Sequence, residues 1–214
     1  NNVDHKNLKV DASYIVNVNR IFSEKSESKS DLHGDIYLIN ANYKINKAHK
    51  VTAYSYGMDF DKAVALSNTT FGVTYNGKFN LSDSTKLAVK AGYASQSDTG
   101  DNPTEYDAHF MTFEAMAKFA KFGIGAGYEV LGSDDGKKAF QTPLATLHKW
   151  QGFADKFLAT PADGIVDTYI KATTKIGKVG LTAFYHDFSA DHGDRDLGSE
   201  IDLVAAYKVN KHFS

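Results

Sequence analysis

"FGIGAGYEV", residues 122–130, sets Gly123, Gly125 and Gly127 at alternate positions ahead of an acid, Glu129. A phosphate cradle would need such glycines in a turn between a strand and a helix. Here Phe122, Ile124, Ala126, Tyr128 and Val130 interleave with them at period two, the mark of a strand with one apolar face. The stretch is therefore read as wall. Glycine weakens a strand and is tolerated where other backbone comes close. The loop that starts at Gly132 leaves from this strand, so it is expected to fold back against the three glycines.

The same alternation runs through the chain. Leu8, Val10, Ala12, Tyr14, Val16 and Val18 alternate with polar residues, with only Ile15 out of place. It recurs in Tyr37–Ile45, in Tyr54, Tyr56, Met58 and Phe60, and in Phe71–Phe79 and Leu87–Tyr93. Met111–Phe119, 122–130, Ile170–Ile176, Val179–Tyr185 and Ile201–Val209 complete the set. The reading is all-β, with ten antiparallel strands of about 10–14 residues. Soluble strands average about 5–6 residues, whereas a tilted crossing of a bilayer takes about 9–11.

Connectors give an independent indication. Long or polar ones (23–33, 61–68, 97–106, 132–164, 189–198) alternate with tight ones around 46–49, 80–84, 120–121 and 177–178. Outer-membrane barrels have this asymmetry, with short periplasmic turns and long external loops. The whole chain is expected to be one transmembrane β-barrel domain, apolar row toward lipid and polar row toward the lumen. Negative mean hydropathy and the lack of an apolar run of about 18 residues do not oppose this, because period-two patterning averages out in a hydropathy window. The opening "NNVDHKN" lacks an initiator methionine and is expected to belong to a processed form or fragment.

The inward parity carries the charge. Lys9, Lys44, Lys78, Lys86, Lys90, Lys118, Lys171, Lys175 and Lys208 fall toward the short turns, Glu129, Asp167, Glu200 and Asp202 toward the long loops, with Glu114 between. Such a lumen would bias ion passage, and the lysines are read as a guide for anionic solutes, Lys86, Lys90, Lys171 and Lys175 foremost. Lysines at strand ends also suit membrane interfaces without any such role.

The connector 132–164 is too long for an idle loop. Thr142-Pro143 reads as a helix N-cap and first turn, with Leu144, Leu147, Trp150 or Gln151, and Phe157 at helical spacing and Pro161 beyond the end. About four turns of helix are expected. With His148 it forms either a constriction in the lumen or an external helix packed on loops, and both readings stay open.

No motif for catalysis stands out. His109 with Ser95 or Ser97 is the nearest approach to a lipase pair, and a structural rim histidine is the ordinary alternative. The acidic loops lack the spacing of a calcium loop. With no cysteine and a net charge of -2, thiolate metal sites are excluded and a nucleic-acid partner is not expected. The chain is read as no enzyme and without cofactors.

"AGYASQSDTGDNPTEYDAHF" (91–110) and "GYEVLGSDDGKKAFQTPLATLHKWQGFADKFLATPADGIVDTYI" (127–170), with "NVNRIF" (17–22) and "YHDFSADHG" (185–193), resemble the C-terminal half of the alginate-export-like outer-membrane porin family of Gram-negative bacteria. The resemblance implies a monomeric barrel, embedded in outer-membrane lipid and lipopolysaccharide, that passes solutes; uronate polymers are the cargo of the name-giving members. Family chains are longer, so these strands are expected to be part of a larger barrel. Competing readings are a closed adhesin or scaffold barrel, and a soluble ligand-binding barrel with its apolar row turned inward.

Overall fold

A computed structural model describes residues 2–20, 31–145, 151–193, 195–207 and 209. In chain order the strands are β1 (Asn2–His5), β2 (Leu8–Asn19), β3 (Asp31–Lys44), β4 (His49–Phe60), β5 (Asn68–Asn80), β6 (Thr85–Asp98), β7 (Asp107–Phe119) and β8 (Phe122–Leu131). They continue with β9 (Ser133–Asp134), β10 (Lys138–Ala139), β11 (Ile165–Ile176), β12 (Val179–Ser189) and β13 (Asp196–Tyr207). All except β9 and β10 form one sheet in which each strand pairs antiparallel with the next, β1 and β13 lying at its edges. β8 and β11 are neighbours across the 132–164 excursion, whose base holds the small β9–β10 hairpin.

The ten long strands run 10–14 residues, as their alternation predicts, but several reach further toward the long loops. β3 starts at Asp31 and β6 continues to Asp98, both within stretches read as loop, and β7 starts at Asp107, directly after one. Residues such as Ser95, Gln96 and Ser97 are polar on both faces, so hydropathy alternation fades there while backbone pairing persists. The added strand β1 is a four-residue hairpin partner of β2. At the opposite end the tight turns hold, with Ala120 and Gly177 at positive φ between the pairs Phe119–Phe122 and Ile176–Val179.

The apolar row does face outward and is left bare: Phe71 is 60% exposed, Ile201 71% and Leu203 79%. β4 departs from this. Register sets Tyr56 across from Leu38 and Ser55 across from Ile39, so Tyr54, Tyr56, Met58 and Phe60 point inward instead of to lipid. Met58 and Phe60 pack with Leu32 and Ile36, and Leu144 of the long loop closes over them. The inner face thus has its apolar packing at the long-loop end, where a second cluster joins Tyr106, Leu131, Phe140, Ile165 and Phe188, with Phe157 against it. Ile15, the misfit of β2, also packs there, beside a bulge formed by Gly34 and Asp35. A Cβ on Gly34 would run into the Asp59 carbonyl oxygen, so only glycine fits that bulge.

The expected helix does not form in the described part of 132–164. The Ala145 N–H donates to the Thr142 carbonyl in a single turn. Beyond it Gln151, Gly152 and Asp155 all take positive φ, which no right-handed helix through Phe157 could accommodate. Leu147, His148 and Trp150 lie outside the described residues.

Candidate functional site: a charged inner face and its loop

The glycines of β8 make room on this inner face. Met116 lies against the positions where Gly123 and Gly125 would carry a side chain, and Thr173 also adjoins Gly123. The Tyr169 ring occupies the corresponding space at Gly127. The expected backing by the loop is therefore corrected: side chains from β7 and β11 cover these glycines. Tyr169 reaches across Gly127 to donate its hydroxyl to Glu114 Oε2 at 2.8 Å, lacing together β11, β8 and β7.

Toward the short turns the inner face is basic. Lys86 stands opposite Lys118, and Lys44 opposite Lys50, a lysine hidden from the sequence reading by the phase of β4. Lys44, Lys50, Lys78 and Lys90 line a cleft of about 590 Å³ together with Glu114. Lys175 is exposed beside the 177–178 turn. Lys9 pairs with Asp11 at 2.8 Å, so its charge is compensated locally. Lys208 lies outside the described residues.

Lys90 stands directly opposite Glu114, and these two also line a second cleft of about 430 Å³ that runs toward the long loops. Glu129, Asp167, Lys171 and His186 face it. Lys171 holds its ammonium 5.0 Å above the Phe184 ring. His186 Nδ1 is 2.8 Å from Asp167 Oδ1, its Nε2 is 3.7 Å from Asp202 Oδ2, and all three side chains are buried. Asp202 Oδ2 makes no hydrogen bond among the described residues.

The loop segment 151–157 lies on this acidic end. Gln151 Nε2 donates to Glu129 Oε1 at 2.6 Å, and the backbone N–H groups of Phe153 and Ala154 both donate to Glu200 Oε1, at 2.5 and 2.8 Å. Phe153 packs near Phe184, and Phe157 stands edge-on to Phe188 with centroids 5.0 Å apart. Of the expected loop residues, Phe157 and Leu144 therefore meet the inner face.

Above the strands, Gln96 organises the base of the loop. Its amide donates to Asn68, Thr70 and the Gln141 carbonyl and accepts from the Gln141 N–H and the Tyr106 hydroxyl. Burial, with the Asp98 carboxylate adding to it, pushes the Tyr106 phenol well above its ordinary range. Burial lowers the Lys138 ammonium, which lies 4.9 Å over the Tyr106 ring, against the opposing pull of Asp98. On the outer face Ser95 sits opposite His109, whose ring stacks on Tyr93.

A wall of long antiparallel strands, apolar outside and charged inside, with one long loop laid on its inner face, is the architecture of outer-membrane porins. Solved structures of such porins superpose on the chain. The OccAB2 protein of Acinetobacter baumannii matches with a TM-score of 0.70 at 15% identity over 97% of this chain and 55% of its own. OccK9 (OpdG) of Pseudomonas aeruginosa matches with 0.72 at 16% identity, over 96% of this chain and 54% of its own. The outer membrane protein OprD of Pseudomonas aeruginosa matches with 0.63 at 10% identity, over 86% and 46%. The chain spans about half the length of these structures. No family model matches it, and no curated protein does. The shared fold is thus that of OprD and Occ porins; the resemblance to alginate-export porins stands at the coarser level of outer-membrane porins.

Proposed function

We propose that the chain forms part of the wall of a Gram-negative outer-membrane channel that passes small anionic solutes passively, by size and field and without covalent chemistry. The observation that carries this is the sorting of the two faces: large apolar side chains exposed outside, and inside lysines toward the short turns with acids toward the long loops. The bare apolar face is suited to lipid and the apolar part of lipopolysaccharide. It also argues against a soluble barrel, which would turn that row inward. Lys44, Lys78, Lys86, Lys90 and Lys118 attract an anion into the wide cleft. Lys90 and Lys171 carry it past Glu114 to where the 151–157 segment narrows the path, making the loop a constriction. Acidic sugars fit this field as cargo. The barrel is taken as a monomeric unit.

The test is planar-bilayer recording with Lys86→Glu/Lys90→Glu. The anion-to-cation permeability ratio should fall at least several-fold, and an unchanged reversal potential would remove these lysines from the path. A folded, inserted protein without single-channel steps would instead favour the adhesin or scaffold barrel.

A further inference from the structure

Glu129 and Glu200 differ from the other inward charges in what surrounds them. Glu200 Oε1 receives two consecutive backbone N–H groups from the loop, and Glu129 Oε1 receives the Gln151 amide. The two acceptors stand on β13 and β8, on either side of β11 and β12, so the segment between them is strung across the inner face. Gln151 and Asp155 hold left-handed φ values of 54° and 55°, a strained choice for residues with a Cβ, and Gly152 lies between them at 85°. A Cβ at Gly152 would stand 2.6 Å from Glu200 Oε2. Strain concentrated at the point of contact indicates backbone bent to meet the carboxylates.

Building on the channel reading above, we infer that Glu200, seconded by Glu129, is a positioning residue: it clasps the 151–154 turn and so sets the width of the constriction. It does so as a hydrogen-bond acceptor; its charge in the solute path is secondary. Charge-assisted bonds to two N–H groups from one oxygen supply both strength and direction, and the Phe153 and Phe157 contacts to β12 complete the seat.

The variants Glu200→Gln and Glu200→Ala separate the two roles, because the carboxamide keeps an acceptor oxygen and loses the charge. Amide hydrogen exchange at 153 and 154 is measured on the full chain in detergent, and conductance in bilayers. Glu200→Ala should speed exchange at least about tenfold, the factor expected for losing one charge-assisted hydrogen bond, and raise conductance several-fold. Glu200→Gln keeps an acceptor and loses the charge assistance, so it should speed exchange by a smaller factor, about threefold, and raise conductance less than Glu200→Ala. Unchanged exchange in Glu200→Ala, or equal loss in both variants, would overturn the clasp. If Glu200→Ala fails to fold, Gly152→Ala tests the contact from the loop side and should speed the same amides; unaltered protection there would overturn it as well. A protein that never conducts but shows this exchange pattern would sink the channel reading and leave the clasp standing.

Discussion

Gly127 shows what a single missing Cβ does in this wall. Its absence lets Tyr169 lie flat across β8 and reach Glu114, so the aromatic ring supplies the packing that glycine lacks. Gly127→Leu should displace that ring, break the Tyr169–Glu114 bond and cost about 1–3 kcal/mol, the usual range for forcing extra volume into a packed site. Urea unfolding in detergent micelles checks this; a change within error would mean the ring has another resting place. The sequence made Gly127 legible as a strand residue with inward parity. It could not show which neighbour fills the space, because Tyr169 meets Gly127 through a strand pairing that bridges the whole 132–164 excursion. Glu200 is a similar case: its parity was readable, while its partners Phe153 and Ala154 offer only backbone, which composition cannot reveal.

At the level of elements, period-two alternation revealed all ten long strands because each keeps one mainly apolar row. It misjudged β4, whose larger apolar side chains fall on the inward row: Val51 and Ala53 face outward beside Ser55 and Gly57, while Tyr54, Tyr56, Met58 and Phe60 lie under the loop. The loop helix failed for a different reason. Thr142-Pro143 can start a helix or close a single turn, and the backbone at 151–155 settles the matter through left-handed conformations that residue type does not announce. The outward face of β13 offers a direct test of which side is wet. Leu203→Arg, on the most exposed of its apolar residues, should cost about 2–4 kcal/mol if that position lies near the bilayer midplane. Folding free energies in phosphatidylcholine vesicles measure it, and a neutral result would place Leu203 in water.

For the whole molecule, the charge gradient along the inner face implies a dependence on salt. Lysines that are largely exposed act over about one Debye length, roughly 10 Å at 0.1 M salt and 3 Å at 1 M. Anion preference should therefore weaken as salt rises, most of its decline falling between those concentrations. Reversal potentials measured at a fixed gradient and increasing ionic strength read this directly; a preference that ignores salt would point to a steric filter.

The seam between β8 and β11 gives the sheet one further property. Elsewhere consecutive long strands pair directly, whereas here the chain makes its longest detour before pairing resumes in register from Leu131–Ile165 down to Phe122–Thr174. Loop closure grows only logarithmically, by about 0.6 kcal/mol per doubling of length, so the wall's thermodynamics are nearly indifferent to how much chain is inserted there. The detour leaves and rejoins at adjacent points, anchored by the Gly132 N–H on the His109 carbonyl and the Phe140 N–H on the Gly132 carbonyl. The length of chain inserted at this seam is in this sense cheap to vary, and on the channel reading proposed above it is the loop's contacts with the inner face, through Gln141, Leu144, Phe157 and the 151–154 turn, that would decide what passes.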